Sequence, residues 1–239
     1  MYKYFTSLVL LFVVVASFGQ QKKDSLFTKK SDTLKYKTTY GLRLGVDISR
    51  PILASLNSDY TGFEIVGDYR IKKNLYIAAE VGFEEETTEE FRVSNSTSKG
   101  NFIRLGINYN AYKNWLNMNN EVFIGYRYGF ALFNQTLNSF TPNVSDPANN
   151  NFFTAAENEV NATTENLNAH WSELMVGVKV ETLKNVFVGF NVSYKIMMSV
   201  KDPENFKSLF APGFNRIFET NTGFGFNYTI SYQIPFTKK

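Results

Sequence analysis

The stretch from Trp171 to Met198 leaves this chain few ways to fold. Leu174, Val176, Val178 and Val180 alternate with Glu173, Met175, Gly177, Lys179 and Glu181. After Leu183-Lys184-Asn185 the alternation resumes, with Val186, Val188, Phe190, Val192, Tyr194 and Ile196 in one set and Gly189, Asn191, Ser193 and Lys195 in the other. A period of two means strands with an oily and a polar face, and the break between them reads as a tight turn. Each run is near the roughly 9–11 residues that a tilted strand needs to cross a bilayer. The polar set holds full charges and the apolar set none, as in a barrel with lipid outside and an ion-paired lumen inside.

The same alternation places strands at about 39–49, 61–71, 75–85, 101–109, 121–133 and 222–236. Pro51 closes the first of them, since proline cannot donate to a ladder. Counting the hairpin gives eight strands. Their connections run long, short, long, intermediate, long, short, long, the long ones being 50–60, 86–99, 134–170 and 199–219. The expectation is an all-β fold: an eight-stranded antiparallel up-and-down transmembrane β-barrel with long extracellular loops and short periplasmic turns. Tyr69, Tyr109, Trp115, Tyr128 and Trp171, near strand ends, fit interfacial girdles. A soluble lipocalin-like barrel would put the apolar set inside, and alternation alone does not tell inside from outside. Its outer face, however, would be rich in Lys and Glu, whereas the polar set here is punctuated by Gly.

Lys3, the apolar run Leu8–Val15 and the small residues Ala16-Ser17-Phe18-Gly19 have the layout of a secretory signal peptide over 1–19. Residues 20–38 are charged and aperiodic, which predicts a flexible periplasmic tail, and 39–239 form the barrel, placed in the outer membrane with both termini periplasmic. The chain has no cysteine, so disulfides, thiolate metal sites and a cysteine-anchored lipoprotein are excluded. The net charge of +3 is too small to imply nucleic acid as a partner.

An eight-stranded barrel is only wide enough for its own side chains. The inward set contains Arg43, Arg70, Arg104, Arg127, Lys179 and Lys195 against Asp47, Glu64, Asp68, Glu80, Glu84, Glu173 and Glu181. Near balance of sign predicts a plugged, ion-paired interior rather than a pore. Outside the lumen, His170 and Ser172 share the outward parity of Leu174 and resemble the His-x-Ser pair of outer-membrane lipid A deacylases, but no outward acid is placed to orient the imidazole. Glu85, Glu86, Glu89 and Glu90 read as a solvated acidic loop, with a divalent cation as the sharper alternative. No cofactor or metal motif is present in the sequence. The connection 199–219 spaces Phe206, Phe210, Phe214 and Arg216 through a basic stretch, as an interaction loop for a partner or lipid headgroups, or as a plug over the mouth.

The signal ending SFGQ, the opening GLRLGVDISRP, the hairpin KKNLYIAAEVGFE and the run GYRYGFALF resemble an uncharacterised family of small outer-membrane β-barrels from Bacteroidota. The resemblance covers nearly all of the chain after the signal and carries no catalytic motif. It implies location and fold, and barrels of this kind are often accessory subunits of large outer-membrane machines. The expected function is therefore a non-enzymatic accessory or structural subunit of a larger outer-membrane protein complex. Lipopolysaccharide export is the first guess, with barrel assembly or protein secretion behind it, and membrane lipid and lipopolysaccharide are the expected non-protein contacts. The alternatives are a lipid A deacylase-like enzyme using His170 and Ser172, and a free-standing surface adhesin.

Overall fold

The computed structural model describes residues 39–90, 94–113, 119–142, 157–204 and 206–238. The expected signal peptide and tail, Trp115, and residues 143–156 of the longest connection lie outside them. Chain order is β1 (Thr39–Asp47), α1 (Ser49–Leu56), β2 (Tyr60–Lys72), β3 (Leu75–Glu90), β4 (Ser94–Asn110) and β5 (Glu121–Phe140). Then follow β6 (Asn158–Leu183), β7 (Val186–Val200), the short pair β8 (Phe210–Ala211) and β9 (Asn215–Arg216), and β10 (Thr222–Lys238). Strands β1–β7 and β10 close into a ring in which every neighbouring pair is antiparallel, and β10 returns to β1. The eight barrel strands expected from the alternation are these eight.

Burial decides which face is which. Leu44, Ile65, Ile77, Leu105, Ile124, Leu174, Val192 and Ile230, one from each barrel strand, are all exposed round the outside. Ile124 is 57% exposed, whereas Arg104 and Glu64 on the inner face are 0% exposed. The apolar set therefore faces out and the charges face in, opposite to a barrel with an apolar interior. Tyr69, Tyr109 and Tyr128 are exposed on the outer face. Trp171 is not in a girdle: it has inward parity, is fully buried, and donates from its indole nitrogen to Glu173 at 2.6 Å.

Several strands outrun their expected limits at the end where the long connections lie. Expected loops 86–99 and 134–170 are mostly strand over their described residues, with β3 continuing to Glu90, β4 starting at Ser94, β5 reaching Phe140 and β6 starting at Asn158. Beyond Phe83, Ile103 and Leu132 the outward side chains turn polar (Glu85, Thr87, Thr97, Lys99, Asn134, Thr136), which erases the oily face that a sequence pattern detects. The ladder nevertheless continues. Thr87, Thr97, Thr136 and Thr163 stand opposite one another across four strands. The hydroxyls of Thr87 and Thr97, and of Thr136 and Thr163, pair at 2.9 Å, cross-strand contacts of the kind that stabilise a sheet.

Residues 50–60, expected as loop, open with the helix α1, because β1 ends at Asp47 rather than Ser49. The Asp47 carboxylate accepts hydrogen bonds from the Ser49 amide and hydroxyl at 2.9 and 2.7 Å, satisfying an amide that the helix start leaves free. Pro51 lies in the first turn, where a missing N–H costs nothing. It therefore belongs to a helix start and does not close the strand, which has already ended at Asp47.

Candidate functional site

The lumen is a stack of ion pairs that begins at the end carrying the β2–β3 and β6–β7 turns. Arg43 bonds Asp68 at 2.6 Å through Nε and grips Glu121 with both terminal nitrogens at 2.7 and 3.0 Å. Its guanidinium lies 4.7 Å from the Tyr76 ring centroid and 5.0 Å from that of Phe187. Lys179 closes on the other oxygen of Asp68. Arg70 stacks over Tyr76 at 4.9 Å.

Arg104 occupies the middle of the barrel. It bonds Glu64, lies 2.9 Å from Glu80 and 3.4 Å from Glu173, and so joins carboxylates from β2, β3 and β6. Arg127 shares Glu80 at 3.1 Å and donates to Asn108 at 2.8 Å. Above them Arg50 reaches in from α1 to Glu84 at 2.5 Å, Glu64 at 3.4 Å and Asp47 at 3.6 Å. Tyr60 donates to Glu84 at 2.6 Å.

Twelve of the thirteen lumen residues expected from parity thus face the interior within or beside this stack. Glu181 differs: it is only half-buried and accepts from Asn119 and from the Asn185 amide at 2.9 and 3.0 Å, fastening the β6–β7 turn. Two members escaped the pattern. Glu121 has the inward parity of Gly125 and Arg127 but sits at the strand start, against an Asn-rich connection. Arg50 lies on a helix, where a strand period has no meaning. With these two, seven cations (Arg43, Arg50, Arg70, Arg104, Arg127, Lys179, Lys195) meet seven carboxylates (Asp47, Glu64, Asp68, Glu80, Glu84, Glu121, Glu173).

The stack is capped by protein. Connection 201–221 turns inward, and Ala211 and Phe214 enter an apolar cup made by Phe102, Ala131, Phe133, Leu167, Ala169, Trp171 and Met197. Polar clamps fix the tip: Gly213 donates its amide to Glu84 at 2.5 Å, and Lys195 donates to the Gly213 carbonyl at 2.7 Å. Phe210 and Phe214 are 1% and 0% exposed. Of the four residues marked as an interaction loop, these two are therefore part of a plug and present no surface, because the cup removes their rings from water. Phe206 is half-buried and Arg216 exposed, and both line an open cleft of about 1000 Å³ above the plug.

On the outer face His170 Nδ1 lies 2.7 Å from the Tyr128 hydroxyl, and its ring packs 4.8 Å from that of Phe130. Among the described residues no carboxylate hydrogen-bonds His170. Glu85 pairs with Lys99 at 2.9 Å, and no group of three or more potential metal ligands occurs among the described residues.

Glu86 lies beyond Phe83, outside the apolar belt. Partial burial, with help from the nearby Glu84 charge, raises its pKa from 4.5 to about 7 against the opposing pull of Arg216 and Arg50. A carboxyl whose folded pKa is raised stabilises the fold below its unfolded value, and that contribution is lost as pH rises through about 7. Thermal unfolding in detergent should therefore shift to lower temperature between pH 5 and pH 8, and Glu86→Gln should flatten that slope.

Removing Arg104 takes the shared cation from three buried carboxylates and leaves Glu64 to Arg50, Glu80 to Arg127 and Glu173 to Trp171. Arg104→Ala should cost about 3–5 kcal/mol of unfolding free energy in a denaturant titration. Gly213 has φ +80°, and a Cβ there would come within 2.6 Å of the Phe102 ring. Gly213→Val should expel the plug at a cost of about 1–3 kcal/mol. Protease cleavage within 201–221 should accelerate while the barrel strands remain protected.

A family model described as a domain of unknown function, DUF6048, matches residues 1–239, and the chain belongs to that family. No curated protein matches it.

Proposed function

We propose that this member of the DUF6048 family is a non-enzymatic transmembrane β-barrel of the bacterial outer membrane and an accessory subunit of a larger outer-membrane complex. The inverted polarity of the barrel carries the reading. An apolar surface that encircles all eight strands far exceeds the few hundred Å² of contiguous patch that soluble monomers usually expose. Each square ångström of it left in water forfeits about 25 cal/mol of possible burial. Lipid, or a neighbouring membrane protein, removes that penalty, while the charges stay paired inside.

The accessory role is supported by how the lumen is filled. Its ion pairs lie under a cup closed by Phe214, which leaves the outer belt and the exposed ends of the strands as the working surfaces. His170 is partnered by a phenol, and among the described residues no acid orients it as a serine hydrolase needs, which weighs against the deacylase alternative. Within the complex reading, lipopolysaccharide export remains the first machine to look for, with barrel assembly and protein secretion next. In this orientation the turns and both termini are periplasmic and α1 and the plug are extracellular.

The deciding experiment is affinity purification of C-terminally tagged full-length protein from native membranes in mild detergent, followed by native sizing and mass spectrometry. Recovery from the outer-membrane fraction in stoichiometric complex with a larger barrel is expected. A lone monomer, or a protein recovered in the soluble fraction, would overturn the proposal.

A further inference from the structure

The cleft above the plug has chemistry that the lumen stack does not use. Its apolar walls are Leu137 and Phe140 at the tip of β5, facing Phe206 and Phe218 of the β7–β10 connection. Phe140 and Phe218 keep 37% and 53% of their surface exposed. Two cations, Lys207 and Arg216, and two acids, Glu90 and Glu219, stand on the same lining. None of these four makes an ion pair among the described residues; Arg216 lies over the Phe218 ring at 5.7 Å. Asp202 also lines the cleft, but its carboxylate is occupied by the Ser208 amide at 2.9 Å.

We infer that this cleft receives a polypeptide segment of the partner subunit, one with apolar side chains flanked by an acid and a base. The inference rests on the accessory-subunit reading and names the surface that such a subunit would use. Charge selects the occupant. An anionic lipid head drawn to Arg216 and Lys207 would also meet Glu90 and Glu219, and a purely apolar ligand would desolvate four charges without compensating any. A polypeptide supplies both signs, with apolar anchors between them to fill the aromatic walls. The wall formed by the β7–β10 connection is already ordered, because Phe214, Glu84 and Lys195 pin it to the barrel, so little ordering entropy opposes binding.

The test places a photo-crosslinking amino acid at Phe140, at Phe218 or, as a control, at Lys73 on the opposite end of the barrel, in the tagged full-length chain in its native membrane. The polypeptide that co-purifies stoichiometrically should be cross-linked from Phe140 and Phe218 and not from Lys73. Arg216→Glu, an exposed change that leaves the barrel folded, should weaken that adduct by about tenfold, the loss expected at an interface hot spot. Phe218→Ala should do the same without altering charge. Adducts only to lipid or glycolipid, adducts only within the same chain, or a protein adduct indifferent to both substitutions would overturn the inference. An intact complex with silent cleft positions would remove the cleft and leave the accessory role standing; no complex at all would remove both.

Discussion

Arg104 ties the barrel together across its diameter. A fully buried guanidinium in contact with carboxylates from three different strands can be accommodated only if all three are held at hydrogen-bonding reach, since an unpaired charge at such a depth costs several kcal/mol. The glycines on the inner face are the counterpart of that demand. A Cβ at Gly225 would lie 2.8 Å from the Lys195 side chain, and one at Gly189 would lie 3.1 Å from the Lys179 side chain. Small residues on some strands make room for long charged residues on others. Eight strands and their stagger set the cross-section, and the ion pairs fill the space that it leaves.

The apolar cup and the ionic stack divide the interior between two kinds of cohesion, and Lys195 and Glu84 stand at the boundary. Each bonds the plug backbone at Gly213 while facing the charged layer beneath. A connection that looks in composition like a free loop is therefore part of the core. Its phenylalanines separate by depth: Phe210 and Phe214 belong to the interior, while Phe206 and Phe218 line the cleft.

Alternation of two made the barrel legible wherever one face was oily and the other polar. Leu174 to Val180 and the strand containing Arg43 and Asp47 show their parity in the sequence for that reason. The pattern went silent in three kinds of place. Where both faces are polar, as from Thr87 to Glu90, a strand leaves no oily period, although Thr87 and Thr97 stay in register. Where the chain becomes helical, as at Arg50, parity has no meaning. Inward apolar residues such as Phe102 and Trp171 do not reveal from the sequence that they meet a plug, since an outward apolar face accepts an aromatic ring as well. The cleft was legible only in part, because its walls come from segments far apart in sequence.

The pairing of β1 with β10 has a consequence for how the molecule is made. Gly45 meets Ser231 across that seam, so the ring cannot close until the last strand has emerged. Such non-local closure is slow, because the entropy of joining distant segments is spent before the new contacts compensate. Until then each hairpin would expose an oily face with a charged one behind it, a state prone to association. The first and last barrel strands are thus each other's missing neighbour, and the ring gains its full cohesion only in the step that joins them.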